Sequence, residues 1–177
     1  MSCIQKNGSA ALALAIVLFG SSAQSQSIPL NKSLHELIQS FVQLPALDRP
    51  SAERLLGTKL RLVQREIFYS YAVDNILLND VRITHAEYVE ARPEGSGRDF
   101  LRLELRGRCF SIGKMLREYP SLQLRQQPSV DSPDPEYAWV EETAWGTLAF
   151  VFGANDPQNC LRSVAMRAKS SGAPSSN

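Results

Sequence analysis

Hydrophobic and polar positions change their spacing several times along the chain, and each change marks a predicted element. Leu34, Leu37, Ile38 and Phe41 recur at helical spacing, which puts them on one face of an amphipathic helix. Ser33 stands just before the run and Glu36 three residues after it, the pairing that closes a capping box at a helix start. Pro45 and Pro50 bracket a short connection, and Ser51 to Leu56 then reads as a two-turn helix capped by Ser51 and stopped by a left-handed Gly57. From Lys59 to Val73 the residues are β-branched, aromatic and alternating, with Val63, Ile67, Tyr69 and Tyr71 typical of a strand. Val81 to Ala91 alternates again. The turn-forming segment 92–98 separates it from Phe100 to Arg106, so these two strands predict a hairpin. Leu101, Leu103 and Leu105 point one way and Arg102, Glu104 and Arg106 the other, giving one core face and one wet face. Cys109 has the parity of the leucines, which directs its sulfur inward if the strand runs that far.

Ser111 caps a third helix with the stripe Ile112, Met115, Leu116 and Tyr119, and Pro120 ends it. A strand follows from Ser121 to Arg125. Residues 126–136, with Pro128, Asp131, Pro133, Asp134, Pro135 and Glu136, are too rich in proline and acid for a regular element and predict an exposed loop. A second hairpin joins Tyr137–Glu142 to Trp145–Phe152, and Cys160 to Arg167 supplies a last strand. Helices and hairpins in this order predict an α+β fold, with short helices packed on one face of a meandering antiparallel sheet. Two short helices leading into a hairpin-connected sheet, with Leu55-Leu56-Gly57 closing the second helix, resemble β-lactamase-inhibitor proteins and small outer-membrane assembly lipoproteins over residues 33–107. That resemblance implies an export-compartment domain that binds other proteins and catalyses nothing. The helix at 111–119 departs from both families. A lipid-attachment cysteine after an apolar leader, which the lipoproteins have, is missing, because Cys3 lies before the leader's apolar run.

The amino terminus adds location. Lys6, the uncharged run Ala10 to Phe19 and the small residues Gly20-Ser21-Ser22-Ala23 form an export signal cut after Ala23. Its apolar core is about half the roughly 20 residues that span a bilayer, so cleavage is expected rather than a retained membrane anchor. The predicted organisation is a signal peptide at 1–23, a flexible segment at 24–32, a single domain at 33–167 and a disordered tail at 168–177. Lys6 leaves with the signal, and the remaining basic residues then balance the 18 acidic ones. A chain without net charge has no general attraction to nucleic acid or anionic lipid. Cys109 and Cys160 are the cysteines left in the mature chain, and in an oxidising compartment they predict one disulfide. It would close a loop of about 50 residues, for roughly 4 kcal/mol of stabilisation.

Candidate chemistry is sparse. The only histidines are His35, beside the first helix's stripe, and His85, mid-strand on the side of Ile83 and Val89, and neither sits in a catalytic motif. With both mature cysteines oxidised there is no thiolate nucleophile or thiolate metal site. Glu141 and Glu142 are neighbours on a strand and face opposite ways, while Glu87 and Glu104 lie among wet positions, so no glycosidase-type pair stands out. The loop acids fit no calcium-ligand spacing. No cofactor and no metal are predicted. What remains is a surface: Tyr137, Trp139 and Trp145 in or beside the second hairpin, the loop acids Asp131, Asp134 and Glu136, and the basic residues Arg102 and Arg106. Large aromatics near charges anchor protein interfaces, although the same aromatics also serve as core padding. The expected function is an exported, non-catalytic protein-binding domain, an inhibitor or immunity protein acting on an enzyme in the periplasm or outside the cell. A small carboxylate-dependent envelope hydrolase and an envelope assembly factor are the alternatives.

Overall fold

Ser33 begins the first helix through a reciprocal pair of hydrogen bonds. Its hydroxyl accepts from the Glu36 N–H at 3.3 Å, and Glu36 Oε2 accepts from the Ser33 N–H at 2.6 Å, the expected capping box. Helix α1 (Leu34–Val42) buries Leu34, Leu37, Ile38 and Phe41, the predicted stripe. Helix α2 (Arg49–Leu56) starts earlier than its sequence suggests. Asp48, not Ser51, is the cap: its Oδ1 accepts from the Ser51 N–H at 2.7 Å, and Pro50 sits in the first turn, where its missing N–H costs nothing. Gly57 ends the helix at φ 68°, as the left-handed stop requires.

The computed structural model describes residues 27–65, 68–91, 98–126 and 134–169. The predicted signal peptide, the start of the flexible segment, the predicted turn from 92 to 97, Asp131 and the end of the tail lie outside the described residues. The strands are β1 (Ile28–Pro29), β2 (Arg61–Arg65), β3 (Tyr69–Leu77), β4 (Val81–Glu90), β5 (Phe100–Gly107), β6 (Gln123–Gln126), β7 (Glu136–Glu142), β8 (Gly146–Gly153) and β9 (Leu161–Ala168). A third helix, α3 (Ile112–Glu118), lies between β5 and β6. The strands form one open nine-stranded sheet in the order β1-β3-β4-β5-β9-β8-β7-β6, with β2 also paired to β3. Every pairing is antiparallel except the short parallel contact of β1 with β3. Short helices and a predominantly antiparallel, open sheet place the fold in the α+β or mostly-β class.

Two expectations need correction. The run from Lys59 to Val73 is not one strand but the antiparallel hairpin of β2 and β3, with Leu62 opposite Tyr71 and Arg65 opposite Tyr69. An alternating pattern is unchanged by a chain reversal that lacks glycine or proline, so the turn left no mark. The segment before Ser33 is also not wholly loose: Ile28 and Pro29 pair with Ile76 and Leu77, and the Leu30 N–H donates to the Leu77 carbonyl at 2.8 Å.

The core is a single cluster in which Leu34, Phe41 and Leu56 of the helices meet Leu103, Phe150 and Val164 of the strands. Side chains buried as fully as Phe41, Phe150 and Tyr88 contribute about 1.5–3 kcal/mol each by leaving water. In β5 the predicted alternation holds, with Leu101, Leu103 and Leu105 buried and Glu104 and Arg106 exposed. That strand ends at Gly107, which takes φ 122°, so Cys109 lies beyond it and the strand's parity does not reach its sulfur. Cys109 instead forms a disulfide with Cys160, the predicted pair, with their Cα atoms 5.0 Å apart. The bridge ties the segment after β5 to the start of β9, whose ladders already adjoin. Among the described residues no helix is long and apolar enough to cross a membrane.

Candidate functional site

The face of the sheet opposite the core leucines is built by strand alternation and by bulges that reset it. On β3, β7, β8 and β9 it carries small residues, Ser70, Ala72, Ala138, Ala149, Ser163 and Ala165, each out of phase with the buried Phe150, Val164 and Leu148. Ser70, Ala72, Ala138 and Ser163 are buried beneath the longer side chains around them, while Ala149 and Ala165 are half-buried. One bulge lies at Thr84, where pairing jumps from Ile83–Leu105 to His85–Glu104. The extra residue turns His85 to the face opposite Ile83, contrary to the simple alternation. There His85 Nδ1 lies 2.6 Å from Asp74 Oδ1, and the neighbouring Glu87 Oε1 accepts from the buried Ser70 hydroxyl at 2.5 Å.

Arginines mark both ends of this face. At one end Arg82 and Arg106 stand directly opposite each other on β4 and β5, and an open cleft of about 420 Å³ beside them is also lined by Leu77, Asp80 and Thr84. Like charges in cross-strand register cost stability. At the other end a cleft of about 340 Å³ has Arg98, Arg125 and Arg167 on its walls and Ala149, Ala165 and Val140 in its floor. A second bulge shapes it. The β6–β7 register jumps from Leu124–Trp139 to Gln126–Ala138, and both Arg125 and Gln126 line the cleft. The Arg167 guanidinium lies 5.9 Å from the centre of the Phe100 ring, another lining residue.

The residues singled out from the sequence scatter. Trp145 is a core residue, 4 % exposed, and its indole N–H donates to the Phe41 carbonyl at 2.8 Å, satisfying the end of α1, so it pads the core rather than anchoring a partner at the surface. Tyr137 and Trp139 are half-buried and pack against the core, because they pair with Phe152 and Phe150 on the inner face. Neither lines the arginine clefts. Asp134 holds Arg162 through contacts of 2.5 and 2.6 Å, which keep its carboxyl below the usual range and raise the arginine's affinity for its proton. Glu136 opens β7 opposite Gly153. Arg102 is half-buried, 3.9 Å from Glu104, and Arg106 lines the first cleft. The sequence reading passed over Arg98, Arg125 and Arg167, which become neighbours only through the long-range pairing of β5 with β9 and the β6 bulge.

Elsewhere several polar groups are engaged by neighbours, while among the described residues Trp139 Nε1 and Ser163 Oγ are buried without a hydrogen-bond partner. His35 lies 3.1 Å from the Tyr119 hydroxyl and 3.7 Å from Glu118. Burial, with nearby Glu118 and Glu141, pushes the Tyr119 phenol up to about 12. Burial likewise raises the Tyr88 phenol, reinforced by its hydrogen bond to Asp99. Glu141 and Glu142 take opposite faces, the first accepting from the Ser121 hydroxyl at 2.6 Å. Among the described residues no group of three or more His, Cys, Asp or Glu side chains is placed to hold a metal ion. No known protein family, curated protein sequence or solved structure gives a significant match to the chain.

Proposed function

We propose that the chain is an exported, non-catalytic domain that binds another protein, acting as an inhibitor or immunity protein on an enzyme of the periplasm or the exterior. In this reading the helices pack on one face of the sheet and leave the other as the binding surface. The observation that carries it is the outer face itself: small residues on β9, β8 and β7, the charged side chains of Glu87, Arg102 and Glu104 on the adjoining β4 and β5, and arginine-lined clefts at both ends. An open sheet face with charged groups suits a folded partner better than a small substrate, which needs concave enclosure. The Cys109–Cys160 disulfide supports a destination outside the reducing cytoplasm. The export signal that the sequence predicts at the amino terminus supports the same destination.

The test is capture of a partner from envelope extract on tagged protein, compared with an Ala149→Arg variant that raises a long side chain from that face. Ala149 is half-buried on the outer face, so the thermal midpoint should move little while the captured protein is lost. Undiminished capture by a folded Ala149→Arg protein would reject the outer face as the binding surface.

A further inference from the structure

We infer that the cleft between Arg98, Arg125 and Arg167 is the specificity pocket of the outer face, and that it takes an acidic segment of a protein partner, with carboxylates on its walls and an apolar side chain on its floor; this rests on the protein-binding reading above. Three observations converge. First, among the described residues the cleft's lining includes three arginines and no aspartate or glutamate. The acid next along β7 on that face, Glu142, is engaged by the Thr147 hydroxyl at 3.4 Å. Guanidinium groups with free donors bind carboxylates in a planar, two-point fashion.

Second, the arginines are spaced for a chain segment rather than a single ion. Arg167 on β9 and Arg125 on β6 lie three strand spacings apart, about 14 Å at roughly 4.8 Å per strand. One extended segment or loop fits between such walls, with an acidic side chain reaching each. The bulge matters here, because it brings Gln126 into the lining beside Arg125.

Third, the floor is apolar. Ala138, Ala149, Ala165, Val140 and Phe100 present carbon to the occupant. A hydrated polyanion gains nothing from that surface, whereas an acidic peptide with an aliphatic side chain buries it. The near-neutral mature chain points the same way, since it offers no extended basic field for a membrane or nucleic acid.

The experiment selects ligands without presupposing the partner. A displayed random 12-residue peptide library is panned on the intact mature protein and on a folded Arg98→Ala/Arg125→Ala/Arg167→Ala variant. Expected are peptides enriched in Asp or Glu next to an aliphatic residue, weakened roughly tenfold by each single Arg→Ala change and by added salt. Arg→Lys replacements should recover only part of the affinity, because the two-point geometry is lost. Acidic peptides that bind the triple variant equally well would overturn the cleft while leaving protein binding by the outer face intact. Enrichment of neutral or basic peptides, or no enrichment, would overturn the proposal outright. Co-sedimentation with phosphatidylglycerol vesicles that is lost in the triple variant would assign the cleft to a membrane surface and overturn it equally.

Discussion

Replacing both disulfide cysteines, Cys109→Ser with Cys160→Ser, should destabilise the protein by about 4 kcal/mol. The figure follows from the sequence separation of 51 residues, over which the loop-closure relation gives about 4 kcal/mol at 25 °C. The native state should lose little of its own. The Leu161 N–H donates to the Phe110 carbonyl at 3.0 Å, Ser111 bridges Cys160, and the β5–β9 ladder runs from Phe100 to Glu104 opposite Arg167 to Ser163. These contacts hold the two ends together without the sulfurs, so the bond acts mainly by restricting the unfolded chain. Urea unfolding followed by tryptophan fluorescence measures the loss. With a slope of about 2 kcal/mol per molar urea, the midpoint should fall by about 2 M, and the slope should rise because the unfolded chain is no longer held compact. Reduction of the wild type should reproduce the shift. A shift below about 0.5 M would refute the reasoning, since the entropy of a loop this long cannot be that small unless the unfolded chain stays closed by other means.

Other consequences are smaller or more local. Asp48→Ala should cost about 1 kcal/mol in thermal or urea unfolding by removing the α2 cap, whereas the loss would fall on Ser51→Ala if Ser51 were the cap. Gly146→Ala should cost several kcal/mol or prevent folding, because its Cβ would stand against the backbone of Arg167 and Lys169 across β9; recovery of a folded variant within about 1 kcal/mol of wild type would contradict that packing. Tyr88 and Tyr119 both hold their protons more tightly when folded, so their contribution is complete below the ordinary tyrosine range near pH 10 and is lost as pH rises from there. The unfolding free energy should therefore fall above pH 10 by up to about 1.4 kcal/mol per pH unit for each tyrosine, and Tyr119→Phe should flatten the slope between pH 10 and 12.

Features set by neighbours in sequence could be read from it. The Ser33–Glu36 box, the α1 stripe, the Gly57 stop and the leucine alternation of β5 each depend on residues within a turn or a strand of one another. The cysteine pairing was legible for a different reason, since only one pairing remains if the predicted leader carrying Cys3 is set aside. What escaped depends on distant partners. Trp145 looks like a surface aromatic until the Phe41 carbonyl, 104 residues away, takes its indole N–H. His85 changes face because Thr84 is an extra residue against β5, and a bulge of that kind carries no compositional mark. The arginine cleft is invisible for the same reason: Arg98, Arg125 and Arg167 are ordinary exposed cations along the chain, and only the sheet order brings them together.

The most direct test of binding through the outer face is an arginine-labelling footprint of the partner complex, read by mass spectrometry after phenylglyoxal treatment. The account predicts that Arg98, Arg125 and Arg167 are shielded in the complex, while Arg54 of α2 and Arg117 of α3 react as in the free protein. Shielding of Arg54 and Arg117 with unchanged labelling of the cleft arginines would contradict it.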